Sequence, residues 1–480
     1  QVRVEKAWTA DSSPFEPSAE VVTAAEAVVS LYDGLGETLS DGGRAAVEAI
    51  PGLDDGRPAW AVLLAGAAVR TLAAGRSSIL VVPDHRDLDR VLAALADLVP
   101  AEQVVRYDSR QTNPDRYRAF LRSLEDAPCI VVGNRSAVYA PVRAGLVVIW
   151  DDGDPLLGEP LAPYVNARDA ALLRQGEEGS ALLLAGHTRT TDVERLVALG
   201  WLRDIRATRR VLPRVILSTP QEMEQPTAQR MPSSAFLAAR EATAEGPVLV
   251  QVSRPGFAPS LVCAECRAPA RCAHCGGPLG ARHRGAVPVC GWCGRSARAW
   301  TCPTCSSTKL RLASSGSERT ADELGRAFPG VRVIVADGAH PVERVDAKPA
   351  LVVATRGAEP AAEGGYRAVV LLDGPRMLQS PDLRIGESCL RWWSNAAALA
   401  AHGAPIHLVG VNGQAARALA TWNQSGYARS ELESRAPLHM PPTTRVALVE
   451  GSAAAVSRAL IALGELALPS DAVLGPVPVE

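Results

Sequence analysis

Eight of the ten cysteines fall in four CxxC pairs: CAEC (263–266), CAHC (272–275), CGWC (290–293) and CPTC (302–305). Two thiolates at this spacing can turn toward one tetrahedral metal, and four pairs supply two complete four-cysteine sites. Disulfides are the competing use, but the chain opens at Gln1 without the charged and apolar regions of a secretory signal, and CxxC knuckles suit Zn²⁺ better than bridges. A thiol switch needs one pair rather than four. All-cysteine sites leave no open coordination position, so two structural zinc ions are expected and no catalytic one. The other two cysteines, Cys129 in an apolar run and Cys389 on a helical pattern, read as small buried hydrophobes.

A second stretch with chemistry is GLVVIWDDGD (145–154), an apolar run that delivers carboxylates to its end. Many nucleotide motors hold magnesium that way. Basic residues gather around the cysteines. Between Arg254 and Arg311 there are nine arginines and lysines against one acid, Glu265. Eight thiolates and two Zn²⁺ would reduce that excess to about +4. Phe257, His283, Trp292 and Trp300 interleave with the arginines, either as a surface that stacks bases and contacts phosphates or as packing for the small zinc core.

The elements that must position these residues alternate along the chain. A helix is expected near 58–73, strands at 77–84, 127–133, 145–152 and 180–186, and a helix at 87–98. This is the rhythm of a parallel sheet. Residues 208–234, rich in Pro and Arg, read as a connector. A second such rhythm follows at 246–253, resumes at 321–330 after the cysteine-rich interruption, and runs to PIHLVGV (405–411). The expected fold class is α/β, with parallel sheets in two lobes and a two-zinc, all-cysteine insertion in the second. The expected division is a leading segment at 1–55, lobe 1 at 56–212, a connector at 213–240, and lobe 2 at 241–420 with the insertion at 258–310. An incomplete C-terminal α+β domain would occupy 421–480.

With 480 residues, two or three domains are the prior. A net charge of −2 excludes a strongly basic nucleic-acid coat but not a local patch. No run of about 18 uncharged apolar residues exists to span a membrane, so a soluble chain is expected, read as a processed or truncated piece. Only Lys6, Lys309 and Lys348 are lysines, which matters for phosphate binding below.

The order SRPGFAPSLVCAECRAPARCAHC, CGWC, CPTC and SGSERTADELGRAFPG closely resembles the PriA replication restart helicase family, also called primosomal protein N′. Further matches run in order: VVPD (81–84), IVVGNRSAVYAP (130–141), YVNARDAALLR (164–174), DLRIGE (382–387) and MPPTTRVALV (440–449). The resemblance covers roughly 60–480 and implies two RecA-like helicase lobes. It implies one zinc on Cys263, Cys266, Cys302 and Cys305 and a nested one on Cys272, Cys275, Cys290 and Cys293. It also implies an N-terminal DNA-binding part outside this sequence.

An ATP motor on that scaffold needs a phosphate loop with a lysine, a magnesium carboxylate, an acid beside the attacking water, and arginines from the second lobe. The loop is expected after LLAG (63–66), where AAVRTLAAG follows without GxxxxGK[ST]. Arg70 and Arg76 are poor substitutes, because without the glycines no backbone amides wrap a phosphate. Where the family carries Asp-Glu-Glu-His-Asp, this chain reads Trp150, Asp151, Asp152, Gly153, Asp154. An indole ligates no hard cation, and the acids read as a solvated loop or a helix cap. The third helicase motif is AGHTRT (185–190), and the sixth aligns with NAAALAAH (395–402), placing Leu399 and His402 where arginines belong.

The expectation is therefore a catalytically silent member, resembling the actinobacterial branch, with no ATP or Mg²⁺ cofactor. It would be cytoplasmic and nucleoid-associated, binding forked and single-stranded DNA and helping to load the replicative helicase. Its partners would be single-stranded DNA-binding protein and the replicative helicase or its loader, with no membrane. DNA contacts are assigned to Arg271, Arg282, Arg284, Trp292, Arg295 and Arg298. The competing readings are an ATP-driven 3′ to 5′ helicase with a rewritten pocket, and a protein scaffold without DNA affinity.

Overall fold

The computed structural model describes residues 15–209, 212–218, 231–253, 261–266, 268–281, 286–312 and 317–466, together with 468, 472, 473 and 475. Short apolar runs build two parallel sheets. The first has β1 (Arg44–Glu48), β2 (Ser77–Val81), β3 (Val104–Tyr107), β4 (Ile130–Gly133), β5 (Ala144–Trp150), β6 (Ala181–Gly186) and β7 (Arg203–Arg206), in the order β3-β4-β2-β5-β6-β1-β7. Every neighbouring pair is parallel. Its central strands are buried along their whole length, as strands covered by helices on both faces must be. Alternation then splits β5 between two cores: Leu146, Val148 and Trp150 face one helix layer, Val147 and Ile149 the other.

The second sheet has β8 (Arg214–Leu217), β9 (Pro247–Val252), β10 (Arg332–Ala336), β11 (Ala350–Thr355), β12 (Ala368–Leu371) and β13 (Pro405–Leu408), in the order β8-β13-β12-β9-β11-β10. It too is parallel throughout. Between β9 and the helix Ser317–Ala327 the chain makes the cysteine module, held by two short antiparallel pairs, Leu261–Cys263 with Leu310–Leu312 and Leu279–Gly280 with Val289–Cys290. Its small core is its own, built on Leu261, Leu279, Trp300 and buried cysteines.

Three boundaries differ from the sequence reading. Lobe 1 begins before residue 56, because β1 lies inside the sheet between β6 and β7. Its sequence RAAVE has little of the β-branched or aromatic content that marks a strand. The stretch 213–240 is more than a connector: β8 is an edge strand of the second sheet, and the helix Ser233–Ala242 buries Ala235 and Ala239 against Val248 and Val250. Lobe 2 continues past 420, since Trp422 and Tyr427 belong to its core. Residues 1–429 form one compact unit and 430–480 a second, whose described residues include the helix Ala453–Gly464.

The phosphate-loop position also moves. Residues 63–66 lie inside helix α1 (Ala59–Ala73), so the strand-loop-helix unit of the first lobe is β1, the loop 49–58 and α1. That loop carries Asp54 and Asp55 and no lysine. The helices that matter below are α1, α2 (His85–Leu95), α3 (Thr191–Ala198) and α4 (Ile385–Ala397).

Candidate functional site

The chain brings the eight module cysteines into two groups, Cys263, Cys266, Cys302 and Cys305, and Cys272, Cys275, Cys290 and Cys293, with the sulfurs of each group within 4.8 Å of one another. Individual Sγ–Sγ separations are 3.4 Å for Cys263–Cys305, 3.5 Å for Cys266–Cys302, 3.8 Å for Cys272–Cys293 and 3.4 Å for Cys275–Cys290. A disulfide needs about 2.05 Å. Four thiolates about 2.3 Å from one tetrahedral zinc stand about 3.8 Å apart, so the observed spacing fits the metal. The backbone makes each knuckle: Gly276 and Gly294 take φ of 71° and 69° just after the second cysteine of their pairs, and each donates its N–H to the carbonyl of the first.

Trp300 is buried and donates its indole N–H to the Arg271 carbonyl at 3.1 Å, so it packs the module. Trp292 is 56% exposed, and Val287 and Val289 on the same hairpin are exposed as well. Arg295 and Arg298 are exposed and Arg271 is half-buried, with Nη1 3.5 Å from the Gly276 carbonyl. Arg282 and Arg284 lie outside the described residues, as do Phe257 and His283. Cys129 and Cys389 are both buried, and burial pushes the Cys389 thiol up to about 12.

The other candidate is a cleft of ≈ 250 Å³ between the lobes, at the carboxyl ends of β2, β5 and β6. In open α/β sheets this is where ligands bind. Trp150 ends β5 and stacks on Trp60 of α1, with centroids 4.2 Å apart and planes 10° from parallel. His187 meets Trp150 edge-on at 5.2 Å and Trp422 at 6.4 Å. Trp60, Trp150 and His187 thus line the cleft beside Pro58, the last residue of the loop 49–58. Burial pulls the His187 pKa down to about 4, so the ring is neutral.

The acids after Trp150 are not solvated, contrary to the sequence reading. Asp151 and Asp152 are buried. Asp151 accepts from Arg391 Nη1 at 2.7 Å and Asn395 Nδ2 at 2.9 Å, and Asp154 accepts from the same Arg391 nitrogen at 2.8 Å. Asp152 accepts from Thr190 Oγ1 at 2.6 Å and Arg168 Nη1 at 3.2 Å. Only Asp154 also serves as a cap, accepting from Leu156 N at 2.8 Å. Burial works against the Arg391 charge, but Asp151 and Asp154 outweigh it and hold the guanidinium above its ordinary pKa. Burial raises the Asp154 carboxyl and the nearby Asp151 charge adds to the rise, against the pull of Arg391.

Around the whole cleft four arginines, Arg86, Arg90, Arg356 and Arg391, face five acids, Asp84, Asp87, Asp151, Asp154 and Glu359. A site for a triphosphate needs a positive excess, and this lining has none. Arg70 and Arg76 are elsewhere. Arg70 pairs with Glu26 at 3.0 Å, and Arg76 donates to the Leu39 carbonyl at 2.9 Å. Leu399 lines the cleft and His402 is exposed. The AGHTRT run is used up in packing: besides His187, Arg189 pairs with Asp204 at 2.6 Å and Glu194 at 3.2 Å, and Thr190 caps α3. Sequence reasoning missed Arg391 and Asn395. Their only signal was a polar stripe on an otherwise apolar helix.

No family model matches the chain. A probable replication restart protein PriA of Mycobacterium leprae is 42% identical over 452 residues, covering 90% of this chain and 68% of that protein. The Mycobacterium tuberculosis protein of the same name is 41% identical over 453 residues, with the same coverage. The replication restart protein PriA of Bacillus subtilis is 24% identical over 276 residues, 56% of this chain and 34% of that protein.

Proposed function

We propose that this chain, which belongs to the replication restart protein PriA family, is a fork-binding assembly protein that keeps the family's two RecA-like lobes without their ATP hydrolysis. The observation that carries this reading is Arg391 on Asp151 and Asp154, beside a Trp150 that stacks on Trp60. The position of the magnesium carboxylate is an indole, and two of the acids that follow it are held by a protein cation. The loop 49–58 offers a phosphate two acids and no lysine.

DNA contact is assigned to the cysteine module. Each four-cysteine group would hold one structural Zn²⁺, which ties its knuckles together and supplies no reaction step. Trp292 offers an open face for a base, and Arg271, Arg295 and Arg298, with Arg282 and Arg284, offer phosphate contacts. Base sequence matters little to such contacts, and affinity falls with salt. Single-stranded DNA-binding protein and the replicative helicase or its loader are the proposed protein partners, and the nucleoid region of the cytoplasm the proposed location. Among the described residues no helix is long and apolar enough to cross a membrane.

Two measurements test the reading. Calorimetric titration of Mg-ATP into the zinc-loaded protein is expected to give no heat; one-to-one binding would overturn the silent-motor half. A gel shift on forked DNA is expected to be salt-sensitive and to weaken when the six module residues are substituted together. Absence of any shift would favour a scaffold without DNA affinity.

A further inference from the structure

Four polar residues of α4 and its N-cap fall on one stripe. Arg384, Glu387, Arg391 and Asn395 follow at spacings of three, four and four, while Cys389, Leu390, Trp393 and Ala396 fill the lobe 2 core. Every member of the stripe lands on lobe 1. Arg384 bonds Asp192. Glu387 accepts from the Thr191 N–H at 2.8 Å and its hydroxyl at 3.1 Å, at the start of α3. Arg391 holds Asp151 and Asp154, and Asn395 holds Asp151 again. The stripe spans twelve residues, about 16 Å of helix. Three further bonds cross the same boundary: Arg429 to Glu194 at 2.9 Å, Arg206 to Ser425 at 2.8 Å, and Arg86 to the Gly357 carbonyl.

Lobed proteins that cycle close when a ligand bridges the lobes and open when it leaves, so their bridging contacts belong to the ligand. Here the protein's own side chains make them, and the central one, Arg391 on Asp151, is buried. Arg391 is 6% exposed and Asp151 4%. Gly153 permits the arrangement. A Cβ there would stand 3.2 Å from Arg391 Cδ and 3.1 Å from Thr190 Cγ2, tighter than either neighbour tolerates without shifting. A side chain as large as histidine would displace the guanidinium from the two carboxylates.

We propose that α4 is a permanent interlobe clasp: the chain holds its lobes together with no ligand, Arg391 bridging them from within the cleft, and Gly153 is the residue that makes room for it. The lobes therefore form one rigid platform rather than a cycling pair. A glycine beside an acid run, facing a polar helix stripe, is the combination that builds it.

The test is amide hydrogen exchange and small-angle scattering on the zinc-loaded protein, without DNA or hydrolysable nucleotide, so this proposal and the fork-binding reading can fail independently. In the unmodified protein, segments 150–154, 188–194 and 385–395 should exchange as slowly as β2 and β9. The radius of gyration should not change when a non-hydrolysable Mg-ATP analogue is added. In Gly153→His and in Glu387→Ala, the same segments should exchange at least tenfold faster while β2 and β9 keep their protection, and the radius of gyration should rise. Fast exchange of those segments in the unmodified protein, closure on adding the analogue, or unchanged exchange in both variants would overturn it. If a variant does not fold, the two measurements on the unmodified protein decide alone.

Discussion

In the cysteine module the decisive contacts are local: Cys263 meets Cys305 across 42 positions and Cys275 meets Cys290 across 15. In the cleft, Asp151 meets Arg391 across 240 positions and Asn395 across 244. The module's stability rests on thiolate spacing and a small core of its own. The cleft rests on long-range charge pairs buried between two large sheets. The cysteine groups could hold a metal whatever the lobes do, whereas the cleft has meaning only when both lobes are in place.

The largest expected difference between the two follows from removing metal. Structural zinc contributes on the order of 10 kcal/mol to the folding of small Cys-ligated modules. Strong chelation, or Cys302→Ser, should release bound zinc and unfold the module, abolishing fork binding. The melting of the two sheets should hardly move. Zinc content by atomic absorption, tryptophan fluorescence and a gel shift on one preparation would check this. Simultaneous melting of the lobes would break the separation.

Next in size is Arg391→Ala. It leaves the buried Asp151 and the half-buried Asp154 without their cation, and breaking a buried pair typically costs about 3–5 kcal/mol. The expected readout is a lowered denaturant midpoint with zinc content unchanged. The combination Asp151→Asn, Asp154→Asn, Arg391→Met removes the stranded charges and should recover most of the loss. No recovery would mean the pair is not the source.

How much of this was legible in the sequence divides along the same line. CxxC spacing is read directly, because both ligands of a knuckle sit within one turn of chain. Parallel strands such as SSILV and AGLVVIW were also plain, being continuous apolar runs. β1 was missed because RAAVE is short and alanine-rich, and the strand-loop-helix unit was displaced with it. The fate of the acid run was misread for a different reason. Three acids in four positions after a strand look solvated unless the arginine that holds two of them is known, and nothing in 145–154 names a partner on α4. The polar stripe 384, 387, 391, 395 on α4 was not read, and its spacing alone does not say what that face meets.

A smaller effect concerns pH. The ordinary histidine pKa is 6.5 and burial lowers that of His187 to about 4. Between those values the unfolded chain binds a proton that the folded chain refuses. His187 therefore contributes full stability above about pH 6.5, and that contribution is lost as pH falls toward 4, by about 2 kcal/mol between pH 7 and pH 5. His187→Phe should flatten the corresponding part of the stability profile measured by urea denaturation at each pH. An unchanged slope would mean the ring is protonated in the folded state. Zinc-release profiles of the module should be indifferent to the substitution, which keeps the two regions distinct.

The smallest expected effect sharpens the comparison most. Trp292 touches no core. Its indole lies over Gly277, where an added Cβ would stand 2.9 Å from the ring, so the backbone fixes its position while its face stays open. Stacking of one base is worth about 1–3 kcal/mol. Because a hairpin tip meets the base from one side only, the low end applies, and Trp292→Ala should weaken fork binding about fivefold. Zinc content and melting should be unchanged. The same variant should leave the slope of log affinity against log salt as it was, since no phosphate contact is lost, whereas Arg295→Ala with Arg298→Ala should reduce that slope by nearly two. If Trp292→Ala instead loosens the knuckle and releases zinc, its exposure is incidental and the aromatic belongs with Trp300, as packing rather than as a surface for DNA.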